Sequence, residues 1–461
     1  MPFFFNFKGP DRLKMIIIGA GEVGFHIAQR LEQENKDVVF IDSNPEALKN
    51  VSDVLDVQTI QGEGSSPVVL KEAGIEDADI LLAVTNSDLV NIIASLFGNK
   101  LSPKALTVAR IRNEDYTDGH EDLIHGALGI NALINPEEEV ASTVERMLSA
   151  PGALEYSEFF SHKLKLLSFL IQEGPLIGCE LSRFKEIAPE GVIVAAIVRN
   201  DRLIVPSGRD VIQENDIVYF ACLGENLDMV RKLTTNKMGP AKNILIVGGG
   251  NMGLRLALLL EEYGSYNIKL MDKDEERCAL LADKLDSTLV LRGDGADQDF
   301  LREENAGEMD TVVSLTGSDE TNILISLLAK SMGAEMVIPR LDNNDYFTLV
   351  EAIGIHYFVS PNSAAVNSIL RYIRRGRVIS AVSIRGDEAE AIEAVALAGS
   401  KIVGQPLADL DLPKGVLILA ISRKGEVIIP WGQTVIEPDD HVVIVAARGS
   451  LSWVEKVLTV A

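Results

Sequence analysis

The sequence predicts an α/β protein made by duplication, with two open, doubly wound parallel-sheet domains, each followed by a small α+β domain. Three observations carry that prediction. A glycine-rich turn occurs twice, as "IIIGAGEVG" at 16–24 and "LIVGGGNMG" at 245–253. Each copy is followed by short β-branched runs that alternate with helical spacing. Each is then followed by a hairpin-rich stretch that is itself repeated. Self-similarity of this kind is architectural information.

In the first module, "MIIIGAG" reads as a buried strand entering a turn. "EVGFHIAQRLEQENK" has helical spacing at Val23, Ile27 and Leu31, and "DVVFID" is the next strand. Continuous Val/Ile strands separated by helices imply a parallel sheet covered on both faces, the Rossmann-type layout. The second module repeats it in order. "VVFIDSN" (38–44) matches "IKLMDKD" (268–274), and "QTIQGEG" (58–64) matches "LVLRGDG" (289–295). "ILLAVTNSDLVNIIASLFGNKL" (80–101) matches "TVVSLTGSDETNILISLLAKSM" (311–332), and "LTVARI" (106–111) matches "MVIPRL" (336–341).

The second repeat is of another kind. "GVIVAAIVRNDRLIVPSG" is two strands around an Asn-Asp turn, and "DIVYFAC" is a third. "GVLILAISRKGEVIIPWG" repeats the pair with Lys-Gly at its turn. Gly178, Leu181, Pro206, Gly208 and Asp216 pair with Gly404, Leu407, Pro430, Gly432 and Asp440. The expected boundaries are a tail at 1–14, a nucleotide-binding Rossmann domain at 15–134 and a crossover helix or linker at 135–156. A small domain at 157–235 follows, then the second Rossmann domain at 243–359, a crossover at 360–377 and the second small domain at 378–461.

Composition narrows the function. The 461 residues carry a net charge of −25, and such a surface repels nucleic acid and anionic lipid. No run approaches a transmembrane span, so direct membrane insertion is not expected and the cytoplasm is the default address. Cys179, Cys222 and Cys278 form no metal or disulfide pattern. "MPFFFNFKGP" lacks the basic start of a signal peptide.

The chemistry sits in the glycine turns. Gly19 permits the tight turn, Gly21 lets the backbone approach a pyrophosphate, and Gly24 lets the helix pack on the strand. The helix start offers free N–H groups to an anion. Ala20, Glu22 and Val23 complete the turn, and Asp42 ends the second strand where a carboxylate can accept both ribose hydroxyls. The second set is Gly248, Gly249, Gly250, Asn251, Met252, Gly253 and Asp272. A carboxylate at either strand end disfavours a 2′-phosphate, so NAD(H) or an adenosine nucleotide fits better than NADP. Glu22 disfavours a triphosphate in the first turn, whereas Asn251 makes ATP or ADP less disfavoured in the second. Ligands lie beyond the carboxyl ends of such strands. That brings in Gly62, Glu63, Thr85, Asn86, Asp88 and Arg110, and in the second unit Gly293, Asp294, Thr316, Asp319 and Arg340. Helix capping by Ser87 or Asp88 competes with ligand contact, and either arginine could equally be an ion-paired surface residue.

None of the six histidines recurs at an equivalent place in the other unit, and no nucleophile–base set or metal spacing is visible. A non-enzymatic nucleotide sensor is favoured over the alternative, a soluble NAD-dependent oxidoreductase of duplicated form, and over a scaffold with vestigial turns.

The order of modules, the "GAGEVG" and "GGGNMG" turns and the "TNSDLVNI" and "GSDETNIL" segments resemble the bacterial Trk-system potassium-uptake regulators, the tandem RCK/KTN family. The resemblance spans the chain after residue 14. It implies RCK N-terminal and C-terminal domains in each unit, and a cytoplasmic, peripheral regulatory subunit. It implies self-assembly into a ring, a homotetramer, docked on an integral membrane potassium-translocating subunit that it gates. NAD(H) is the implied ligand, with ATP or ADP as further candidates, bound by the two glycine turns and by Asp42 and Asp272.

Overall fold

The computed structural model describes residues 14–458 apart from 33–36, 117–119, 121–122, 189, 201, 235–240, 374–377 and 386–387. The expected tail, except Lys14, lies outside the described residues, as do parts of the join at 234–243 and of the second crossover. The first module runs β1 (Lys14–Ile18), α1 (Glu22–Glu32), β2 (Asp37–Asp42), α2 (Pro45–Ser52), β3 (Gln58–Gln61), α3 (Pro67–Glu72), β4 (Ile80–Ala83), α4 (Asp88–Leu101), β5 (Leu106–Arg110) and β6 (Ala132–Ile134). Its strands form one parallel sheet in the order β3-β2-β1-β4-β5-β6, with the reversal of order between β1 and β4 beside the glycine turn. Four residues of β1 are fully buried because helices cover both faces.

Helix α5 (Pro136–Ser149) follows, capped by Asn135 with proline at its first position and three glutamates in its first turn. The first small module comprises β7 (Glu155–Phe159), β8 (Leu164–Leu170), β9 (Val192–Arg199), β10 (Arg202–Ile204), β11 (Ile217–Leu223) and α6 (Leu227–Leu233). Its sheet is antiparallel, in the order β10-β9-β11-β8-β7. Its first strand thus starts inside the stretch expected to be linker. The β7–β8 hairpin escapes the sequence reading because its turn, Phe160–Ser161–His162, has no glycine or proline although all three residues have positive φ.

The second unit repeats the plan with β12 (Asn243–Val247), α7 (Asn251–Tyr263), β13 (Asn267–Asp272), α8 (Glu275–Lys284), β14 (Leu289–Arg292), α9 (Gln298–Glu303), β15 (Thr311–Ser314), α10 (Asp319–Met332), β16 (Met336–Pro339), α11 (Asp345–Ala352) and α12 (Pro361–Ile373). Its parallel sheet has the order β14-β13-β12-β15-β16. The last module holds β17 (Val378–Ile384), β18 (Ala389–Val395), β19 (Val416–Arg423), β20 (Glu426–Ile428), β21 (His441–Ala447) and α13 (Leu451–Leu458), with sheet order β17-β18-β21-β19-β20. Lys424 and Gly425 both have positive φ, as a two-residue hairpin turn requires.

Two exchanges bind the units. Helix α5, which follows the first Rossmann module, buries Val140, Val144 and Leu148 in the core of the second. Helix α12, which follows the second, buries Ala365, Val366 and Ile369 in the core of the first. The two small modules share a further core, with Phe159, Leu166 and Tyr219 on one side and Ile384, Leu419 and Val443 on the other. Within each small module a buried aspartate takes a fork of hydrogen bonds from an arginine. Arg199 meets Asp216 at 2.8 and 2.6 Å, and Arg423 meets Asp440 at 2.9 and 2.7 Å. These pairs explain the recurrence of Asp216 and Asp440 in the sequence as structural.

Candidate functional site

The glycine turns are shaped by close approach. Gly19 has φ 107°, and a Cβ there would lie 3.0 Å from the backbone nitrogen of Thr85. A Cβ on Gly24 would lie 2.1 Å from the Gly19 carbonyl oxygen, and one on Gly253 would lie 2.0 Å from that of Gly248. Gly21 and Gly250 have open space around them. The glycine that borders open space is therefore distinct from those that allow the turn and the packing.

Each turn is tied to the acid at the end of the second strand. Asp42 Oδ2 accepts the Ala20 N–H at 2.7 Å and its Oδ1 accepts the Asn44 N–H at 2.8 Å. Asp272 does the same with Gly249 at 2.7 Å and Asp274 at 2.9 Å. A carboxylate oxygen accepts two hydrogen bonds, so each retains capacity for a ribose hydroxyl. The far wall is also built twice. Buried Asn91 accepts from the Thr85 N–H and hydroxyl and donates to the carbonyls of Thr85 and Arg110. Asn322 makes the same four bonds to Thr316 and Arg340. Ser87 and Ser318 cap the following helices, whereas Asp88 accepts the backbone N–H groups of Arg112 and Asn113.

In the first unit these pieces surround a cleft of about 910 Å³. It is lined by Gly19, Gly21, Glu22, Val23, Asp42, Thr85, Asn86 and Arg110 among the residues expected from the sequence. Gly24 and Ala20 stand behind it, in packing and in the bond to Asp42. Gly62 faces Val69 and Gly293 faces Phe300, so these two serve packing, while Glu63 and Gly64 reach the cleft. Arg110 lines it and carries an unsatisfied group. Its Nε is buried without a partner among the described residues, and its Nη1 makes only a 3.4 Å bond to Asn86 Oδ1. Burial, then the neighbouring Arg112, lowers its pKa. A buried N–H with no acceptor is costly.

Met252 and Arg340, expected at the second site, line this first cleft as well. Arg340 follows β16, pairs with Asp342 and bonds the Thr316 carbonyl at 3.4 Å. Asp342 and Asn362 join it, and Asn362 Nδ2 donates to the Glu22 carboxylate across the two units. The reason is the exchange of crossover helices, which seats the start of α12 against α1. No spacing in the sequence reveals that. The regularity of Arg110–Arg112 and Arg340–Asp342, alternate residues past a strand end, was the one available signal for Arg112 and Asp342.

In the second unit the turn residues Gly248, Gly249, Gly250, Asn251 and Gly253 are set as in the first, but Arg277 lies against them. Its Nε donates to the Gly249 carbonyl, and its Nη2 is buried without a partner among the described residues. No cluster of side chains suited to a metal ion exists among the described residues, and none of their helices is long and apolar enough to cross a membrane.

Comparisons with known proteins agree with this architecture. Residues 15–136 and 244–361 match the TrkA-N domain, and residues 166–235 and 391–459 match the TrkA-C domain. The Trk system potassium uptake protein TrkA of Vibrio alginolyticus is 40% identical over 438 residues, which are 94% of this chain and 95% of that protein. The TrkA homolog 1 of Methanosarcina mazei is 39% identical over 451 residues, 96% of this chain and 99% of its own. Among solved structures, the GsuK RCK domain aligns with a TM-score of 0.59 at 16% identity, covering 99% of this chain and 97% of that one. The GsuK channel bound to NAD aligns with a TM-score of 0.60 at 16% identity, covering 99% and 80%.

Proposed function

Since the chain belongs to the TrkA family, we propose that it is the nucleotide-sensing regulatory subunit of a membrane potassium-uptake system, peripheral to the cytoplasmic face and not an enzyme. The observation that carries this reading is the composition of the first cleft. It holds a glycine turn, a ribose acid with free acceptor capacity and an under-bonded Arg110 from one unit, and Arg340, Asp342 and Asn362 from the other.

The residues present fit NAD(H). The amides at the start of α1 and Gly21 would receive the pyrophosphate, Asp42 the adenosine ribose, and Arg110 with Asn86 the remaining polar groups. A dinucleotide supplies charge and length here. It would therefore touch both units at once, and the protein's own residues turn its binding into a change in how the units meet. A ligand shifts such an equilibrium only by its differential affinity, typically about 1–3 kcal/mol per site. The second glycine turn would hold a nucleotide through Gly248, Gly250, Asn251 and Asp272.

Self-assembly into a ring, a homotetramer, is supported by apolar stripes left exposed on equivalent helices: Leu89, Ile93 and Phe97 on α4, and Leu324 and Leu327 on α10. The acidic surface suits a basic cytoplasmic face on the potassium-translocating partner.

Calorimetry of the full chain with NAD, NADH, ATP and ADP in turn tests the reading. Saturable binding of at least one nucleotide, and a nucleotide-dependent change in potassium flux through the co-purified membrane subunit, are expected. Absence of binding overturns the sensor. Turnover of NADH with a small carbonyl substrate moves the assignment to the oxidoreductase alternative.

A further inference from the structure

A further cavity lies away from both glycine turns. Its volume is about 580 Å³, and it sits between the first small module and the second Rossmann module. Ala334, Glu335 and Met336 place it at the amino end of β16, whereas the first cleft opens at the carboxyl ends of its strands. The two share no lining residue. Such a volume suits a small organic molecule.

The first unit closes the equivalent place with two asparagines. Asn131 Oδ1 accepts the Thr107 N–H at 2.7 Å, and the Asn131 N–H bonds the Thr107 carbonyl at 2.8 Å. Asn99 donates to the Gly129 carbonyl at 3.3 Å. The matching bonds from Ile111 to Ile134 and from Leu341 to Val359 set the register between the copies. In the second unit Val337 stands for Thr107, Lys330 for Asn99, His356 for Asn131 and Tyr357 for Ala132. Lys330 keeps the bond to the glycine carbonyl, at Gly354. Among the described residues, no hydrogen bond joins His356 to Val337. Both line the cavity, and so does Tyr357. Burial pushes the Tyr357 hydroxyl up to about 12, and among the described residues it has no hydrogen-bond partner.

The lining is apolar at its wall and charged at its mouth. Leu154, Met336 and Ile355 supply the wall, while Lys330, Glu335 and His356 are exposed. Glu173 lines it too and is already engaged. A net anion entering here would meet Glu335, and a net cation would meet Lys330. A zwitterion gives each of these charges a partner.

We propose that this cavity binds an α-amino acid with an apolar side chain. Lys330 and Tyr357 donate to its carboxylate, Glu335 accepts from its ammonium group, and its side chain rests on Leu154, Met336 and Ile355. The bound molecule touches a small module of one unit and the Rossmann module of the other, so it acts on the junction between them.

The test is calorimetry of the full chain with L-leucine, L-methionine and L-phenylalanine, and with 4-methylpentanoate and 3-methylbutylamine, each of which carries one of the two charges of leucine. At least one amino acid is expected to bind saturably, and neither half-ligand as tightly as that amino acid. Lys330→Met is expected to cut its affinity about tenfold or more and Tyr357→Phe about threefold or more, with NADH affinity at the first cleft moving by less than about twofold. Tyr357→Phe removes only a hydroxyl, so it carries the test if Lys330→Met does not fold. Binding of none of the three amino acids overturns the inference. So does a half-ligand that binds equally well, or an affinity indifferent to the substitutions. The inference does not rest on the nucleotide reading: NADH binding without amino-acid binding defeats only this proposal, and amino-acid binding without nucleotide binding defeats only the sensor.

Discussion

In the first Rossmann module Ala20 shares a core with Val51, and Ala47 leaves the mouth of the turn open. In the second, Gly249 stands where Ala20 does. A Cβ there would lie 2.4 Å from Leu281, the larger residue at the place of Val51. Arg277 reaches across the same mouth. Yet both turns keep the positive φ of Gly19 and Gly248, the bond from the turn amide to the strand-end acid, the asparagine clamp on the far wall and the serine cap. Positions that determine the path of the backbone have stayed, and side chains at the mouth of the turn have changed. That division is expected if both clefts still bind and no longer bind alike.

The strongest way to challenge the equivalence of the two units lies away from the clefts, in the paired arginine forks. Asp216 is 1% exposed and Asp440 is 2% exposed. Each also accepts a backbone N–H, from Gln213 at 2.7 Å and from Glu437 at 2.8 Å. Removing one partner of a buried pair is costly, and here each arginine keeps some solvent access. Asp216→Ala and Asp440→Ala should each lower unfolding free energy by about 3 kcal/mol, a cost at the low end for buried pairs. Denaturant unfolding measures both. A large inequality would show that only one small module supports the shared core.

The small modules also differ where they clasp each other. Glu155 on β7 lies across from Ser168 on β8, whereas Ser380 on β17 lies across from Glu393 on β18. The carboxylate has changed strands between the copies. Glu393 accepts the Phe160 N–H from the hairpin turn of the other module at 3.1 Å and faces His441 at 3.6 Å. Glu155 meets the equivalent turn at the Arg385 N–H, with Tyr219 and the Arg385 charge nearby. Burial pushes the Glu155 carboxyl up to about 7, against those hydrogen bonds. A carboxyl raised from the ordinary 4.5 favours its protonated form in the fold. Its contribution is therefore full below pH 4.5 and is lost as pH rises through 7, a difference of about 3 kcal/mol. Stability measured across that window should fall with pH, and Glu155→Gln should flatten the slope. An unaltered slope would place the titration elsewhere.

Much of this was legible in the sequence. The Val/Ile runs with their turns made both parallel sheets readable, and the Gly19–Asp42 spacing located the first cleft. The β7–β8 hairpin was not readable, since Phe160, Ser161 and His162 adopt positive φ without a glycine to announce it. Nor was the placement of Arg340 and Met252 on the first cleft. Spacing within a module cannot report the exchange of α5 and α12, which is decided by burial of Val144 and Val366 in the opposite cores. The contact of Arg277 with the second turn stayed hidden because Arg277 comes five residues after its acid, on a helix.

Within the clefts, the acids provide the next comparison. Asp42→Ala should weaken NADH binding at the first cleft by about 1–3 kcal/mol, the range for hydrogen bonds to a charged group. It removes the ribose acceptor and also the anchors of the Ala20 and Asn44 amides. Asp272→Ala should leave that affinity nearly intact, because Asp272 anchors only its own turn. Calorimetry separates the two. Equal losses would mean that the units bind as one coupled body.

The smallest effect is expected at the helix starts. Glu22 carries a charge within the first turn of α1, where the partial charges of free N–H groups are concentrated and a bound anion would sit. Its carboxylate is held by Asn362 from the other unit, so its position is restrained, but it stays exposed and screened. Glu22→Asn copies the second cleft into the first. Removing an exposed charge near an anion site is worth about 0.3–1 kcal/mol. The gain should be larger for ADP than for NADH, since the penalty scales with ligand charge, and it should shrink at high salt. Titrations with both ligands at two ionic strengths read the difference. A gain equal for both ligands and insensitive to salt would assign Glu22 to the contact between units and not to charge selection.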